Sequence, residues 1–535
     1  MKRAASLLSV LLVISIVVGA CVSMGPRGQD LVAKAVQAQG GAEAMGAVKT
    51  ISYKATVRQW EPEQSAKAGG EMRLAGDSTI VVVGDRVSGV TRIDWVRNFQ
   101  YPAPRTFTFT EIVTSQAGYV AGIDSNGRTK QSREANPPAH SMSGLRLTTT
   151  QREILRASPL LTLDMLRNPD HVDSAPNVTV GGVTYPAANY RAGVGTLTVL
   201  FDPATGLPAR VRSLDYDNIW GDVTWDLVLA DYQTVSGVRM AMSHKYELNG
   251  RTVMEVKLSE PAVNAAVAAD RFAIPAPFLA AAPKPAAPGA VPYPWIMRRQ
   301  FIGVYLDSDR PSWDTQASPG LRLQELAPGV QHVVGGSHNS MIVEMKDYVI
   351  VFDAPVSDWQ SNWTISAARG KYVGKPVKYL VLTHHHMDHA GGLRAYADAG
   401  ATIVVGQGTA AHYRQVLAAP FSRNTDLTPR DLSKTPIVEV AGKHVISDGQ
   451  RQVELYVLEP NPHAEGILIG YVADAKLGFV TDIWSPGAAP LGEKLNPAQA
   501  ALVATVKKAG IAPAKFAGGH GSTADYAPLA ALEGK

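Results

Sequence analysis

Cysteine is almost missing from this sequence. The chain of 535 residues has one, Cys21, so no intrachain disulfide can form and no thiolate can ligate a metal inside the folded parts. Charge is also sparse: 18% of residues are charged, and 51 Lys and Arg against 47 Asp and Glu leave a formal net charge of +4. No basic stripe or cluster stands out, which sets aside a nucleic-acid binder. Long apolar runs are absent apart from one near the start. Lys2 and Arg3 precede the apolar stretch Ala4 to Val18, which ends in the small-residue exit Val18-Gly19-Ala20-Cys21. That stretch is too short and wrongly flanked for a stable membrane span, and it reads as an export signal. The length exceeds what one core can organise and predicts two or three domains.

The exit resembles that of a bacterial lipoprotein signal. The resemblance implies a signal peptide over residues 1–20, lipidation of Cys21 and a tether over 21–29. Val22 follows where inner-membrane-retained lipoproteins carry Asp, which implies a periplasmic protein anchored to the outer membrane without spanning it. The alternative is an ordinary secretory signal with a chance cysteine.

Residues 30–274 are expected to form a β-rich domain. Asp30 reads as the N-cap of a helix over Leu31 to Gln39 that stops at Gly40-Gly41. Strand patterns follow. Arg86 to Trp95 alternates Val87, Gly89, Thr91, Ile93 and Trp95 on one side. Thr196 to Phe201 and Leu207 to Leu214 flank a turn, and Asn249-Gly250 between Ser243–Leu248 and Arg251–Leu258 predicts a tight hairpin. One helical insert is expected, with Thr150 and Glu153 as a capping box and Ser158-Pro159 opening a second helical turn that carries Leu160, Leu161, Leu163 and Leu166. The pattern resembles the half-barrels of periplasmic lipoprotein carriers. Trp60, Trp95, Trp220 and Trp225 could then line a hollow for a lipid or other hydrophobic ligand, with ordinary core packing as the alternative.

Residues 275–297 are rich in proline and alanine and predict an extended spacer. Over 298–535 the alternation gives way to continuous apolar runs, among them Tyr348 to Phe352, Val377 to Leu382 and Val453 to Leu458. A helix is predicted over Pro497 to Ala509, capped by Asn496 and stopped by Gly510. Such runs belong to strands covered on both faces, so the whole chain reads as α+β.

The chemistry concentrates here. Ten of the thirteen histidines lie in this second region. Thr383-His384-His385-His386-Met387-Asp388-His389-Ala390-Gly391-Gly392 sits between the strand run Val377–Leu382 and a helical stretch, Leu393–Ala399. Imidazoles and a carboxylate crowded into one strand-to-helix loop suit a borderline divalent cation, zinc first. Further ligand-capable residues follow other strand ends: His463, Asp482 and His520, the last among Gly518, Gly519 and Gly521.

These motifs resemble the metallo-β-lactamase fold superfamily. Thr383 to His389 fits its His-x-His-x-Asp-His signature, and His463, Asp482 and His520 follow in the order of its remaining ligands. Asp353 matches an early aspartate that supports the ligands from outside. The resemblance covers about Leu323 to Ala530 and implies an αββα sandwich with two Zn2+ at one edge, Fe or Mn being equally compatible. It assigns His384, His386 and His463 to one ion and Asp388, His389 and His520 to the other, with Asp482 bridging. Asp388 would also orient the attacking oxygen. A bridging hydroxide would attack an ester, thioester, lactone or amide.

His385 is expected to point away from the ions, and Ser337-His338-Asn339 to sit at the pocket mouth or in a loop hydrogen-bonding role. Trp484 and Pro486 read equally as cleft wall or core, and His332, His412 and His444 show no partner pattern. The cysteine-ligand lactamases are excluded for want of a thiolate, and Asp482 is closer to the bridging aspartate of glyoxalase II and lactonases. The expected function is a metal-dependent hydrolase acting on a small molecule. A β-lactam-hydrolysing enzyme and a non-enzymatic periplasmic lipid- or lipoprotein-binding protein are the alternatives.

Overall fold

The computed structural model describes residues 27–101, 103–124, 137–287, 320–336 and 338–535. The expected signal peptide, Cys21, residues 288–297 of the spacer and Ser337 lie outside these residues.

Thirteen antiparallel strands in the N-terminal region form one open sheet. Two meanders meet where the first strand, Thr50–Glu61, pairs with the last, Arg251–Val263, with Val57 opposite Val256. Alternation sets the sheet's two faces. Ala55, Val57 and Gln59 are buried while Lys54, Thr56 and Arg58 face out. The helix Gly28–Ala38 lays Leu31, Val32 and Ala35 against Leu161 and Met165 of the helix Leu161–Arg167 and against Val199 and Trp225 of the strands.

Several local readings shift. Arg86–Trp95 is not one strand: Arg73–Asp85 and Val90–Phe99 form a hairpin, because the Asp85 carboxylate accepts from Val87 N (2.9 Å) and Ser88 Oγ (2.6 Å) and closes a turn. The helical insert starts at Gly144, where Ser143 Oγ accepts from Arg146 N. Thr150, expected as a cap, lies inside that helix and donates to the Arg146 carbonyl. Asp30 likewise sits within the first turn, paired with Arg27. The spacer begins as a helical turn, Ala276–Ala280, and Ala286 N then donates to Gly144 O, so its described part docks on the N-terminal domain. The Asn249-Gly250 hairpin forms, both residues at positive φ.

Beyond residue 320, a seven-stranded sheet and a six-stranded sheet face each other. Met341, Ile350, Phe352 and Val404 of the first interdigitate with Leu455, Leu468, Val472 and Phe479 of the second. The helices Asp358–Lys371, Leu393–Asp398 and Ala410–Ala418 cover one outer face, and Pro497–Ala509 covers the other. The capping box of Asn496 with Gln499, and Gly510 at φ 65°, bound that last helix as expected. This is an αββα sandwich.

The two regions share a polar seam. Arg394, fully buried, donates to the carbonyls of Asn218 (2.6 Å), Ile219 (2.8 Å) and Val416 (2.7 Å). Tyr216 and Asn424 both donate to the buried Asp358 carboxylate. At Gly221 any Cβ would stand 2.1 Å from the Pro420 carbonyl oxygen, so only glycine permits the approach.

Candidate metal centre

The signature loop leaves the strand Val377–Val381 and runs into a short helical turn, Met387–Ala390. Asp353, at the tip of the parallel neighbour strand Val349–Phe352, anchors it. The Asp353 carboxylate accepts from Thr383 N (2.8 Å), Thr383 Oγ1 (3.0 Å) and His389 Nδ1 (2.8 Å). Asp353 and Asp482 both adopt positive φ, at 59° and 51°, a region that aspartate tolerates better than most residues. Gly519 belongs to the same fit: a Cβ there would lie 2.3 Å from Thr481 Cγ2 and 3.3 Å from His389 Cε1.

The expected donors come together in two groups. His463 Nε2 lies 3.2 Å from His384 Nε2 and 3.0 Å from His386 Nδ1, with Asp482 Oδ2 3.1 Å from His384 Nε2. In the other group His389 Nε2 lies 3.2 Å from His520 Nε2 and 3.7 Å from Asp388 Oδ2. Asp482 stands between them, with Oδ2 2.9 Å from His389 Nε2 and Oδ1 2.7 Å from His520 Nε2.

For three of the rings the outer hydrogen bonds fix which nitrogen faces inward. His389 Nδ1 donates to Asp353, His384 Nδ1 lies 3.2 Å from Thr383 Oγ1, and His386 Nε2 donates to the Ser65 carbonyl at 2.9 Å. With those protons committed outward, a ring that is neutral, as His384 and His386 are, presents the lone pair of its inner nitrogen to the other donors. Asp482 Oδ2 is buried among them without a well-formed hydrogen bond. Converging lone pairs repel, and a bound cation is what reconciles them, so these donors fit one or more divalent ions.

Electrostatics agree. Burial pushes the imidazoles of His384 and His338 down to about 4, which keeps them neutral and able to ligate. Burial also opposes charge on Asp482, but His520, His389 and His463 outweigh it and hold the carboxyl well below its ordinary range. His389 runs the other way: the carboxylates of Asp482, Asp388 and Asp353 overcome its burial and raise it.

Of the other residues singled out, His385 points away, its Nε2 2.9 Å from the Ser65 carbonyl. Trp484 is core, packed edge-on to Phe516, and the Pro486 carbonyl accepts from Ser522 N. His332 donates to the Gly518 carbonyl, and His412 is buried edge-on to Trp220. His338 is placed deeper than its loop suggested: Nε2 stands 3.1 Å from Asp388 Oδ2, and its ring centroid lies 4.4 Å from that of His520. Its ligating atom falls within the second group. Sequence reasoning missed Gln64, Ser65, Arg73 and Tyr101, which reach the centre from the N-terminal sheet. No pattern in their surroundings signals metal chemistry.

Residues 333–523 match the family model described as the metallo-beta-lactamase superfamily. Similar solved structures include a metallo-beta-lactamase from Pontibacter korlensis (18% identity, TM-score 0.31, 40% of this chain and 98% of that one). Another metallo-beta-lactamase, from Hirschia baltica, gives 18% identity and TM-score 0.30 over 39% of this chain and 94% of that one. The stereoselective inverting sec-alkylsulfatase Pisa1 from Pseudomonas sp. gives 15% identity and TM-score 0.30 over 41% of each chain. No curated protein matches the chain. Its C-terminal part is a metallo-beta-lactamase superfamily domain.

Proposed function

We propose that the protein is a dinuclear zinc hydrolase that cleaves an ester, thioester, lactone or amide bond in a small molecule. The observation that carries this reading is the set of imidazoles whose outer N–H groups are committed to fixed acceptors, so that their inner nitrogens converge around the Asp482 carboxylate. His384, His386 and His463 would hold one ion and Asp388, His389 and His520 the other, with Asp482 shared. Such ions supply Lewis acidity and a water acidified to near neutrality.

The chain's own groups do the rest. Asp353 and the Ser65 carbonyl fix ring orientation, and Asp388, ionised, would orient the attacking oxygen. His338 Nε2, 3.1 Å from Asp388 Oδ2, adds a further donor beside the second group. Metal analysis of the purified protein, with a panel of lactone, thioester, phosphoester and β-lactam substrates, tests the reading. Two equivalents of zinc and turnover of one class support it. Protein that takes up no metal, or activity that survives loss of both His384 and Asp388, would end it. Nitrocefin or carbapenem turnover at enzymatic rates would instead identify a lactamase.

A second reading concerns the N-terminal sheet. A cavity of about 210 Å³ lies between its buried face and the helix Gly144–Ala157, lined by Tyr53, Val57, Ile80, Ile93, Trp95 and Met254. We infer that it takes an apolar ligand, as the carrier-like half-barrel reading would require. Of the four tryptophans proposed for such a hollow, Trp95 lines it, whereas Trp225 is core. Binding of a fluorescent fatty acid, abolished by Ile80→Trp, tests it; an unchanged affinity in that variant counts against it. Export and outer-membrane anchoring through Cys21 are proposed on the sequence, and release of Cys21→Ala into the soluble periplasm is the check.

A further inference from the structure

The metal centre is not built by the sandwich alone. Between the strands Thr50–Glu61 and Arg73–Asp85, residues 62–72 form a strap that lies against both ligand loops of the other domain. Gln64 Nε2 donates to Asp388 Oδ1 at 2.8 Å, and Tyr101 Oη donates to Gln64 Oε1 at 2.5 Å. The Ser65 carbonyl accepts from His386 Nε2 at 2.9 Å. Arg73 ties these together: its guanidinium donates to the carbonyls of Gln64 and His463 and lies over the Tyr101 ring. Lys67 pairs with Glu465, and Glu465 N donates to the Ala66 carbonyl.

The polarity of this chain is fixed. An ionised Asp388 can only accept, so the Gln64 amide must turn its nitrogen to it. Its oxygen then faces Tyr101, which must donate. Asp388 is thereby held by its outer oxygen while Oδ2 faces His338 and His389. The Ser65 carbonyl does the same for His386, committing Nε2 so that Nδ1 faces His463.

We propose that the strap is a positioning element of the metal centre: Gln64, held by Tyr101, sets Asp388 for the second ion, and the Ser65 carbonyl sets His386 for the first. This rests on the metal-centre reading above. It makes the N-terminal domain part of the active site and gives Gln64, Tyr101 and Arg73 roles that act through the ligands. Groups in this outer position typically change metal affinity by 10–100-fold when lost.

The test is titration of the full-length apo protein with Co2+, followed by its visible absorption and by competition with a chromophoric chelator. Gln64→Glu keeps the length but sets carboxylate against carboxylate, and it should weaken the second ion by about 10–100-fold while sparing the first. Tyr101→Phe keeps the ring on Arg73 and should weaken the second ion several-fold. Arg73→Met releases both the Gln64 and His463 carbonyls and should weaken both ions. Should Gln64→Glu fail to fold, Tyr101→Phe alone decides. Where a substrate is in hand, the Gln64 and Tyr101 variants should lower kcat with little change in KM. Affinities within twofold of wild type in Gln64→Glu and Tyr101→Phe would overturn the proposal. His384→Ala separates the two failures: if it too retains the first ion, the metal-centre reading falls, and if it alone loses it, only the strap does.

Discussion

The thirteen-stranded sheet keeps one face of its strands partly wet, whereas strands of the sandwich such as Val349–Phe352 and Leu468–Val472 are dry throughout. The two regions also bury charge differently. In the N-terminal domain buried cations meet carboxylates: Arg146, fully buried, lies 2.7 Å from Glu111 and 2.5 Å from Asp124, and the part-buried Arg210 lies 2.6 Å from Glu247. Those opposite charges offset one another. At the edge of the sandwich imidazole nitrogen also faces imidazole nitrogen, at 3.0–3.2 Å, around the shared Asp482 carboxylate. Matched charges explain themselves as structure. Crowded ring nitrogens do not, and that difference separates a scaffold from a site.

The largest expected effect breaks the site and spares the scaffold. His384→Ala removes an inward nitrogen from the first group and should lower turnover of whichever substrate is found by about 1,000-fold or more, roughly 4 kcal/mol in transition-state terms. The N-terminal sheet should be untouched, with a far-UV circular dichroism spectrum like that of the wild type. A comparable loss from Arg146→Met, with its fold intact, would show that the contrast between matched and unmatched groups carries no functional meaning.

The next prediction tests whether the two regions act as one body. Arg394→Met leaves the carbonyls of Asn218, Ile219 and Val416 without their donor inside a buried seam. At about 1 kcal/mol or more for each stranded acceptor, the loss should be roughly 3–4 kcal/mol. Calorimetry should then resolve two melting transitions where the wild type gives one. A single transition at an unchanged temperature would mean that the seam does not couple them.

How much of this was legible in the sequence follows the same division. The candidate donor cluster was legible because its members follow the tips of apolar runs, as Asp482 follows Leu477–Val480 and His520 follows Lys515–Gly518. Dry strands leave a strong local signal, and residues at their ends converge once the sheets pair. Wet strands leave a weaker one. The turn at Arg86–Gly89 interrupts an alternation that continues in phase across it, so the periodicity predicts one strand where the Asp85 carboxylate closes a hairpin. The strap was illegible for a different reason. Gln64 reaches Asp388 across 324 residues, and nothing local to Glu63-Gln64-Ser65 marks a contact that only domain docking creates. His338 shows the intermediate case: its loop position was visible, but its depth depends on how the neighbouring strand ends are packed.

The smallest effect is a titration of the seam itself. Asp358 is fully enclosed between the domains, and burial pushes its carboxyl from the ordinary 3.8 up to about 6, against the opposing pull of Arg394 and the donors Asn424, Tyr216 and Ala395 N. Its folded pKa therefore exceeds its unfolded value. The native state holds the proton more tightly, so this contribution to stability is fully present below about pH 4 and is lost as pH rises through about 6. At 1.36 kcal/mol per unit, the change across that window is roughly 2–3 kcal/mol. Asp358→Asn cannot titrate, so subtracting its denaturation free energies from those of the wild type at each pH isolates the term. The wild type should lose stability relative to the variant between pH 4 and 6, and the difference should be flat above 7. A difference that grows in the opposite direction would place the ionised carboxylate, and not the protonated one, at ease in the seam. The joint between wet sheet and dry sandwich would then be held by charge, in the manner of the N-terminal ion pairs.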